Sequence, residues 1–365
     1  MRGSEGFVID VGALLEKVEA AAPIDAVEAV ATALCEMVDA HEVTFLIADF
    51  SGRAVVRLTS AGRVDGARTH GVEQAETLPL ADTVYERVLR TQQIDVERVS
   101  DGARITVPVT DRGNAIGLLE MTLPRYPVQS EIDDVSSAAH ALAYVVIAAR
   151  QHTDVFEWGH RSTPFALAAE IQRRLLPLSY TCEAGQFTLA GWLEPAASVG
   201  GDTFDYTLDR SSLQVSITDA VGHQVAAALL ATLLVGGLRN GRRKGLGFAE
   251  QAAYANDCLA ENATPGQFVT GQLLRVDLAT GTAGIVNAGH PFPLRLRDGN
   301  VEELELRIEP PFGVVPGKTF DVQRLPLEPG DRIVLLTDGM QERNAVDLDV
   351  AAALASSADL HPREV

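Results

Sequence analysis

Three aspartates in the second half of the sequence combine a reactive side chain with a position that can aim it. Asp202 lies in the segment VGGDTFD, Asp219 ends the strand-like run SLQVSITD, and Asp338 ends the run DRIVLLTD. Strand ends can direct carboxylates into one cleft, and neighbouring glycines let the backbone approach a bound ion. Carboxylate oxygens suit hard divalent ions, and two such ions about 3.5–4 Å apart can activate water and hold a phosphoryl group. Each aspartate alone also fits a turn or a helix cap, and Asp219 could cap a helix that begins near Gln224.

The elements that must position these aspartates are mostly strands. Beyond Pro177, short strand-like runs alternate with turn signals such as Asp298-Gly299-Asn300 and Pro329-Gly330-Asp331. Connections this short indicate antiparallel pairing. Two predicted helices interrupt the strands, one from Val225 to about Leu238 and one from Phe248 to Ala260. We therefore expect an α+β domain over residues 179–365.

The first part of the chain has a different texture, in which each helical segment is followed by two strand-like runs. The helical segments are PIDAVEAVATALCEMVDA and ADTVYERVLRTQQ, and the strand-like runs are EVTFLIADF, RAVVRLTS, RITVPVTD and NAIGLLEMTLP. The last two runs are separated by the turn signal Asp111-Arg112-Gly113-Asn114. We expect an α/β domain over residues 1–128.

A helical linker is predicted between the two domains, over residues 129–178. Its first part reads as one helix from Glu131 to about Trp158, with apolar residues at the 3–4 spacing of a heptad seam. The seam residues are Ile132, Val135, Ala139, Leu142, Val146, Ala149 and Phe156. The seam suits pairing with a second copy of the chain in a homodimer, and it equally suits packing against the helix's own domain.

Composition excludes several classes of protein and partner. Hydrophobic residues make up 46% of the 365 and charged residues 22%, which is typical of folded chains. The formal net charge of -20 disfavours nucleic acid and anionic lipid as partners. Three widely spaced cysteines form neither a disulfide framework nor a zinc pattern and fit a reduced cytoplasm. The longest apolar runs fall short of the roughly 20 residues that a bilayer requires, so we expect no membrane span.

Two resemblances add to this interpretation. The segments VGGDTFD, ITDAVGHQVAAALLA, FVTGQLLRVDLATGTAGIVNAGHPFPL and LEPGDRIVLLTDGMQE resemble, in order and spacing, the SpoIIE-like and RsbU-like branch of the metal-dependent protein phosphatases, the PPM superfamily. That resemblance implies two antiparallel sheets sandwiched between helices. In the first domain, the strand TVPV followed by IGLLEM is similar to GAF domains, which are small sensory modules.

The PPM resemblance implies roles for individual residues. Asp219 matches the aspartate that bridges two metal ions, and the carbonyl of Ala220 matches the ligand just after it. Asp202 matches the acidic residue that faces the metals directly or through water, and Asp338 matches a ligand of one metal. The three aspartates are thus the expected catalytic residues, and the expected cofactor is a pair of Mn²⁺ or Mg²⁺ ions.

Five further residues lie within the matching motifs. Gly200 and Gly201 would let the chain turn close to the metals, and Asp205 has no assigned role. His223 and His290 could each supply the general acid that protonates the leaving oxygen. They could also hydrogen-bond neighbouring loops, and we favour that structural interpretation.

The sequence departs from the family pattern in three places, one of which is that the Phe-Gly segment that usually follows the TDG motif is not evident. Gln224 stands where the family usually has glycine, and glutamine does not readily adopt a positive φ. The family's last metal ligand lies in a C-terminal Asp-Asp-x-Thr segment that we do not find before Val365. Asp347 and Asp349 follow Asp338 too closely to take the place of this last ligand. We therefore expect the domain to lack its C-terminal strand and to bind one of the two metal ions more weakly.

The resemblance implies a metal-dependent serine/threonine protein phosphatase under the control of a sensory domain. The expected substrate is a phosphorylated STAS-type anti-sigma factor antagonist, and a small-molecule effector is expected at the GAF-like domain. Two alternatives stay open. The chain could be a catalytically impaired phosphatase-like module that binds its partner, or a small-molecule sensor whose first domain is the functional centre.

Overall fold

The computed structural model describes residues 6–62, 76–160, 165–193, 201–341 and 349–365. It divides the chain into two units. The first comprises residues 1–164 and 181–189, and the second comprises residues 165–180 and 190–363. The predicted linker therefore does not stand apart, because its first long helix belongs to the first unit and its last helix to the second.

The first unit is built on one antiparallel sheet of six strands in the order β3-β2-β1-β6-β5-β4. Its strands are β1 (Glu42–Ala48), β2 (Ala54–Gly62), β3 (Thr77–Pro79), β4 (Asp95–Val99), β5 (Gly102–Asp111) and β6 (Asn114–Leu123). Its helices are α1 (Val11–Ala20), α2 (Ala26–Val38), α3 (Val84–Thr91), α4 (Gln129–Ala149) and α5 (Val155–Gly159), with a 3₁₀ turn at Pro23–Asp25. A short hairpin of β7 (Thr181–Glu183) and β8 (Thr188–Ala190) follows later in the chain.

Side-chain alternation along the strands separates two apolar layers. Phe45 and Val107 face the main core, which is shared with α1, α2 and α4. Leu46 and Leu118 point to the opposite face and pack with Val88 of α3. The predicted turn between β5 and β6 is present, and both of its central residues, Arg112 and Gly113, have positive φ as a tight hairpin turn requires. The α/β GAF-like domain predicted from the sequence is confirmed as a fold.

The predicted helix from Glu131 to Trp158 is wrong at its C-terminal end. Helix α4 ends at Ala149, and Val155–Gly159 forms a separate helix. The seam residues Val135, Leu142 and Val146 are buried in the core of their own unit. Of the two interpretations of the seam, the structure supports packing against the helix's own domain.

Among the described residues, α4 alone is long and apolar enough to cross a bilayer.

The second unit contains two antiparallel sheets, as predicted. A five-stranded sheet has the order β15-β12-β11-β10-β9, and a three-stranded sheet has the order β14-β13-β16. The strands are β9 (Thr203–Leu208), β10 (Ser212–Ala220), β11 (Val269–Asp277), β12 (Ala283–Ala288), β13 (Leu294–Arg297), β14 (Asn300–Glu303), β15 (Gln323–Leu325) and β16 (Arg332–Val334). The helices are α6 (Leu167–Leu175), α7 (Gln224–Arg243), α8 (Phe248–Asn262) and α9 (Val350–Ser356), with 3₁₀ turns at Asp338–Gln341 and Pro362–Glu364.

The core of the second unit lies between the five-stranded sheet and the helices α7 and α8. Leu230 and Leu234 of α7 pack with Leu259 of α8, and both helices meet Val269 and Leu273 of β11. The predicted helices at Val225 and Phe248 are both present, and α7 continues to Arg243. The central strands β10 and β11 are thereby fixed from one face, which gives the residues at their ends a rigid base.

Candidate metal centre

Two of the three predicted aspartates are brought together by a single strand pairing. Strands β9 and β10 are antiparallel, with Thr203 opposite Thr218. Asp202 directly precedes β9 and Asp219 directly follows Thr218, so both aspartates stand at the same end of this pair. The hydroxyls of Thr203 and Thr218 are buried and lie 2.6 Å apart. This hydrogen bond fixes the register next to the two carboxylates.

The third aspartate follows the last strand of the three-stranded sheet. Asp338 begins the 3₁₀ turn that follows β16, and its neighbour Thr337 donates a hydrogen bond from Oγ1 to Oδ2 of Asp202 at 2.8 Å. The carboxyls of Asp202 and Asp338 lie near enough to Asp219 to raise its pKa. The three predicted aspartates are therefore neighbours, and their role as metal ligands stays a prediction.

Two carboxyls of this cluster, those of Asp202 and Asp219, have pKa values above that of an ordinary aspartate. Burial, followed by the negative charges of Asp202 and Asp338, raises the pKa of Asp219 to about 7. Burial also raises the pKa of Asp202, although the hydrogen bond from Thr337 opposes the shift. Among the described residues, no lysine or arginine forms an ion pair with any of the three. Carboxylates that crowd together without a cationic partner are the donor set that a divalent cation would satisfy.

The oxygen atoms of these aspartates are suitable metal ligands by their chemistry, but they are not arranged around a common point. Within the part of the chain that the structure describes, no three His, Cys, Asp or Glu side chains converge on a common point as metal ligands. A bound cation would compete with protons for these carboxyls and draw their oxygens toward itself.

A close backbone approach supports the predicted carbonyl ligand. A Cβ atom at Gly201 would lie 2.8 Å from the carbonyl oxygen of Ala220, which is too close for any side chain. The amide of Ala220 also donates to the carbonyl of Gly201 at 3.4 Å. Glycine at position 201 therefore lets Ala220 lie beside the start of β9. Gly200 falls outside the described residues.

The loop that carries His223 has a positive φ at position 224, where this sequence has glutamine in place of the family's glycine. Gln224 has φ of 56°, in the left-handed region where glycine is favoured. His223 is exposed and occupies the N-cap position of α7 without a side-chain hydrogen bond to the helix. The suggestion that Asp219 caps this helix is wrong, because the cap lies four residues later.

His290 is buried and hydrogen-bonded to neighbouring residues of the second unit. It is 2% exposed, its Nδ1 lies 3.0 Å from Oγ1 of Thr270, and Asn287 binds its backbone amide and carbonyl. Burial lowers the pKa of His290 to about 4, against the opposing effects of Asp338 and the backbone of Leu336. A neutral, enclosed imidazole is a poor proton donor near pH 7. The geometry thus agrees with the structural interpretation favoured above.

Two other acidic residues lie away from the cluster. Asp205 is buried and accepts hydrogen bonds from Arg239 and Arg242 of α7, so it ties that helix to β9. Asp349 accepts from the amide of Ala352 and caps α9. Asp347 lies outside the described residues. Asp349 therefore has a local role of its own, as expected of a residue that does not replace the family's last ligand.

Sequence reasoning missed two residues that touch the cluster. Thr337 holds the side chain of Asp202, and Gln172 of α6 donates from Nε2 to the Asp202 carbonyl at 2.5 Å. Thr337 directly precedes Asp338 in the TDG segment, so its place in that motif could have identified it from the sequence. Gln172 is 30 positions from its partner and reads as one more polar residue of an amphipathic helix.

Comparisons with known proteins show what the second unit is similar to. The family model for Stage II sporulation protein E (SpoIIE) matches residues 209–365. The phosphoserine phosphatase RsbU of Bacillus subtilis (strain 168) is 25% identical over 189 residues, covering 48% of this chain and 52% of the relative. The phosphoserine phosphatase RsbP of the same organism is 24% identical over 184 residues, covering 49% and 45%. The chain thus spans about half the length of these curated relatives.

A solved structure of the RsbU and RsbW domains of Rv1364c from Mycobacterium tuberculosis is also similar. It shares 30% sequence identity, with a TM-score of 0.40, and the match covers 45% of this chain and 48% of that one. The family match includes Asp219 and Asp338 together with the strands that carry them. The second unit of this chain is therefore similar, over residues 209–365, to the SpoIIE family of phosphatase domains.

Proposed function

We propose that the second unit hydrolyses phosphoserine or phosphothreonine in a protein substrate with the help of two Mn²⁺ or Mg²⁺ ions. The observation that carries this proposal is the cluster of Asp202, Asp219 and Asp338, which gathers three carboxyls without a cationic partner among the described residues. The similarity to two proteins named phosphoserine phosphatases supports the reaction class. The three carboxylates and the carbonyl of Ala220 would hold the ions.

The bound ions would supply a water nucleophile at neutral pH and neutralise charge on the phosphoryl oxygens. The chain's own residues would keep the donors in place. Thr337 orients Asp202 through its hydroxyl, and Gly201 lets the Ala220 carbonyl lie beside Asp202. A chain with a formal net charge of -20 repels a phosphate dianion, so the cations would also be needed for substrate binding.

The proposed substrate is a phosphorylated STAS-type anti-sigma factor antagonist, and the proposed controller is the GAF-like unit. The resemblance to the RsbU-like branch supports both. In the first unit, a cleft of about 510 Å³ lies between α4 and the strands β4 and β5, lined by Gln92, Pro108, Ile132 and His140 among others. Its size suits a small molecule, and its mixed lining favours a polar effector.

The test is release of phosphate from a phosphoserine protein by the full chain, with and without Mn²⁺. We expect Mn²⁺-dependent turnover in the wild type and a loss of at least about 100-fold in Asp219→Asn, because the central donor loses its charge. Asp298→Asn makes the same chemical change in the exposed β13–β14 turn and should retain full activity. Equal Mn²⁺-dependent turnover in Asp219→Asn would refute the proposal.

A second candidate function is that of a partner-binding module with little catalysis. The observation in its favour is that the described donors do not already converge on one point. On this alternative, the wild type would bind the phosphorylated antagonist in a pull-down assay without releasing phosphate at any Mn²⁺ concentration. Phosphate release would exclude it.

A further inference from the structure

Helix α6 carries a buried amide side chain, that of Gln172. Gln172 is 1% exposed and shares the buried face of α6 with Ala168, Ala169 and Leu175. A buried amide among apolar neighbours is unfavourable unless its polar atoms are hydrogen-bonded. Its Nε2 has such a partner, whereas its Oε1 is buried and has none among the residues that the structure describes. The bond from Nε2 is therefore the hydrogen bond that the side chain makes among the described residues.

That bond ends on the backbone of a metal-centre residue. Nε2 donates to the carbonyl oxygen of Asp202 at 2.5 Å. The ladder between β9 and β10 begins one residue later, at Thr203, and β9 is the edge strand of its sheet. Among the described residues, no strand therefore lies beyond β9 to bind the outward carbonyl of Asp202. Gln172 supplies the donor that a further strand would otherwise provide.

The helix that presents Gln172 is itself fastened to β9. Arg239 of α7 donates to the carbonyl of Leu175, the last residue of α6, and also to the carboxylate of Asp205 in β9. Helix α6 thus meets the β9 segment both through Gln172 and through the Arg239 bridge. Asp202 is held in turn from two directions, by Thr337 at its side chain and by Gln172 at its carbonyl.

We infer that Gln172 is a positioning residue of the metal centre. It fixes the peptide that follows the Asp202 side chain, and so it sets the direction in which that carboxylate meets a cation. This inference rests on the proposed metal-dependent function. It assigns to α6 a direct effect on metal affinity, separate from its contribution to the core of the unit.

The test compares two substitutions that remove the same kind of bond. Gln172→Leu deletes the donor to Asp202 at similar volume. Gln251→Leu is the matched control, because Gln251 is also buried and its Nε2 donates to the carbonyl of Leu246 at 2.7 Å, away from the cluster. Mn²⁺ binding to the purified full chain is measured by calorimetry, and thermal unfolding is measured without metal. We expect both variants to unfold at lower temperature, and only Gln172→Leu to bind Mn²⁺ about 10- to 100-fold more weakly.

Each outcome separates the positioning role from a structural one and from failure of the proposed function. If Gln172→Leu loses stability but binds Mn²⁺ within about twofold of the wild type, the inference is wrong and the metal centre stands. If the wild type binds no Mn²⁺, the proposed metal centre itself is wrong. Gln172→Asn keeps an amide on a shorter side chain, and it serves if Gln172→Leu does not fold. A Mn²⁺ affinity of Gln172→Asn below that of the wild type supports the inference, and wild-type affinity overturns it.

Discussion

At the scale of single residues, the central feature is a carboxyl that titrates near neutral pH. The pKa of Asp219 is raised to about 7 by burial and by two neighbouring acids. The same crowding both opposes ionisation and creates the need for a cation. Protonation and metal binding therefore compete for one side chain, and pH becomes a direct probe of the site.

The first prediction follows from this competition. Below pH 7 the Asp219 carboxyl is mostly protonated, so Mn²⁺ must displace its proton. Mn²⁺ affinity should rise as the pH increases toward 7 and level off above it. Calorimetry at pH 6 in two buffers of different ionisation enthalpy should report proton release, and the same experiment at pH 8 should report much less.

Asp219→Asn is the control for this linkage. It removes the titrating group, so proton release at pH 6 should fall well below the wild-type value. Equal release at pH 6 and pH 8 in the wild type would contradict the raised pKa of Asp219.

A second residue-scale prediction concerns Gln224. A side chain in the left-handed region costs roughly 1–2 kcal/mol that glycine does not incur. Gln224→Gly should raise the free energy of unfolding by about 0.5–1 kcal/mol after the greater flexibility of glycine in the unfolded chain is included. Chemical denaturation measures the change. Gln224→Ala keeps the same backbone demand and should bring no gain, and a gain of equal size in both variants would count against strain as the cause.

At the scale of elements, the metal centre depends on how closely β9 approaches the end of β10. Gly201 is the point of closest approach, because any Cβ there would meet the Ala220 carbonyl. The three aspartates come from three different segments, and the Thr203–Thr218 and Thr337–Asp202 hydrogen bonds align these segments.

We predict opposite effects for two glycine-to-alanine substitutions. Gly201→Ala should lower the free energy of unfolding by about 1–3 kcal/mol through the clash, and it should weaken Mn²⁺ binding because it displaces Ala220. Gly236→Ala is the matched control, since Gly236 lies inside α7 with open space around its Cβ position. It should stabilise the chain by about 0.5–1 kcal/mol through helix propensity and leave Mn²⁺ binding unchanged. Mn²⁺ binding retained at wild-type strength in Gly201→Ala would contradict the proposed closeness of the two segments.

The elements also show which features a sequence pattern can reveal. Asp202, Asp219 and Asp338 were predictable because each ends or begins a strand-like run within a recognisable motif. Gln172 was not, because an amide on an amphipathic helix looks the same whether it faces solvent or a distant backbone carbonyl. The end of α4 was misplaced because Phe156 follows Ala149 by seven residues, in phase with the seam, although residues 150–154 between them are polar and the chain leaves the helix there.

At the scale of the whole molecule, the seam of α4 separates self-association from folding. A 3–4 spacing suits both a partner helix and a domain core, so the pattern alone left two interpretations. In the structure, Leu142 is 1% exposed and lies within the main core of the first unit. The expected homodimer stays a prediction, but these seam side chains are already covered by their own unit.

The whole-molecule prediction uses this burial. Leu142→Ala should lower the stability of the first unit by about 2–5 kcal/mol, because it leaves a cavity in the core. It should leave the mass measured by sedimentation unchanged. Leu15→Ala removes a half-exposed leucine from α1 and should cost much less. A variant that keeps its stability but halves its sedimenting mass would show that the seam is an interface after all.

The meeting of Asp202 with Asp338 has a consequence for the lifetime of the folded chain. These residues are 136 positions apart (338 − 202). A cation bound by both would join them reversibly and close a long stretch of chain, adding to the hydrogen bond between Thr337 and Asp202 that already links its ends. Bound metal stabilises the folded form by mass action, so the free manganese or magnesium level would set how rapidly proteases can degrade this domain. Scarcity of the cation would then reduce the amount of the protein as well as its turnover.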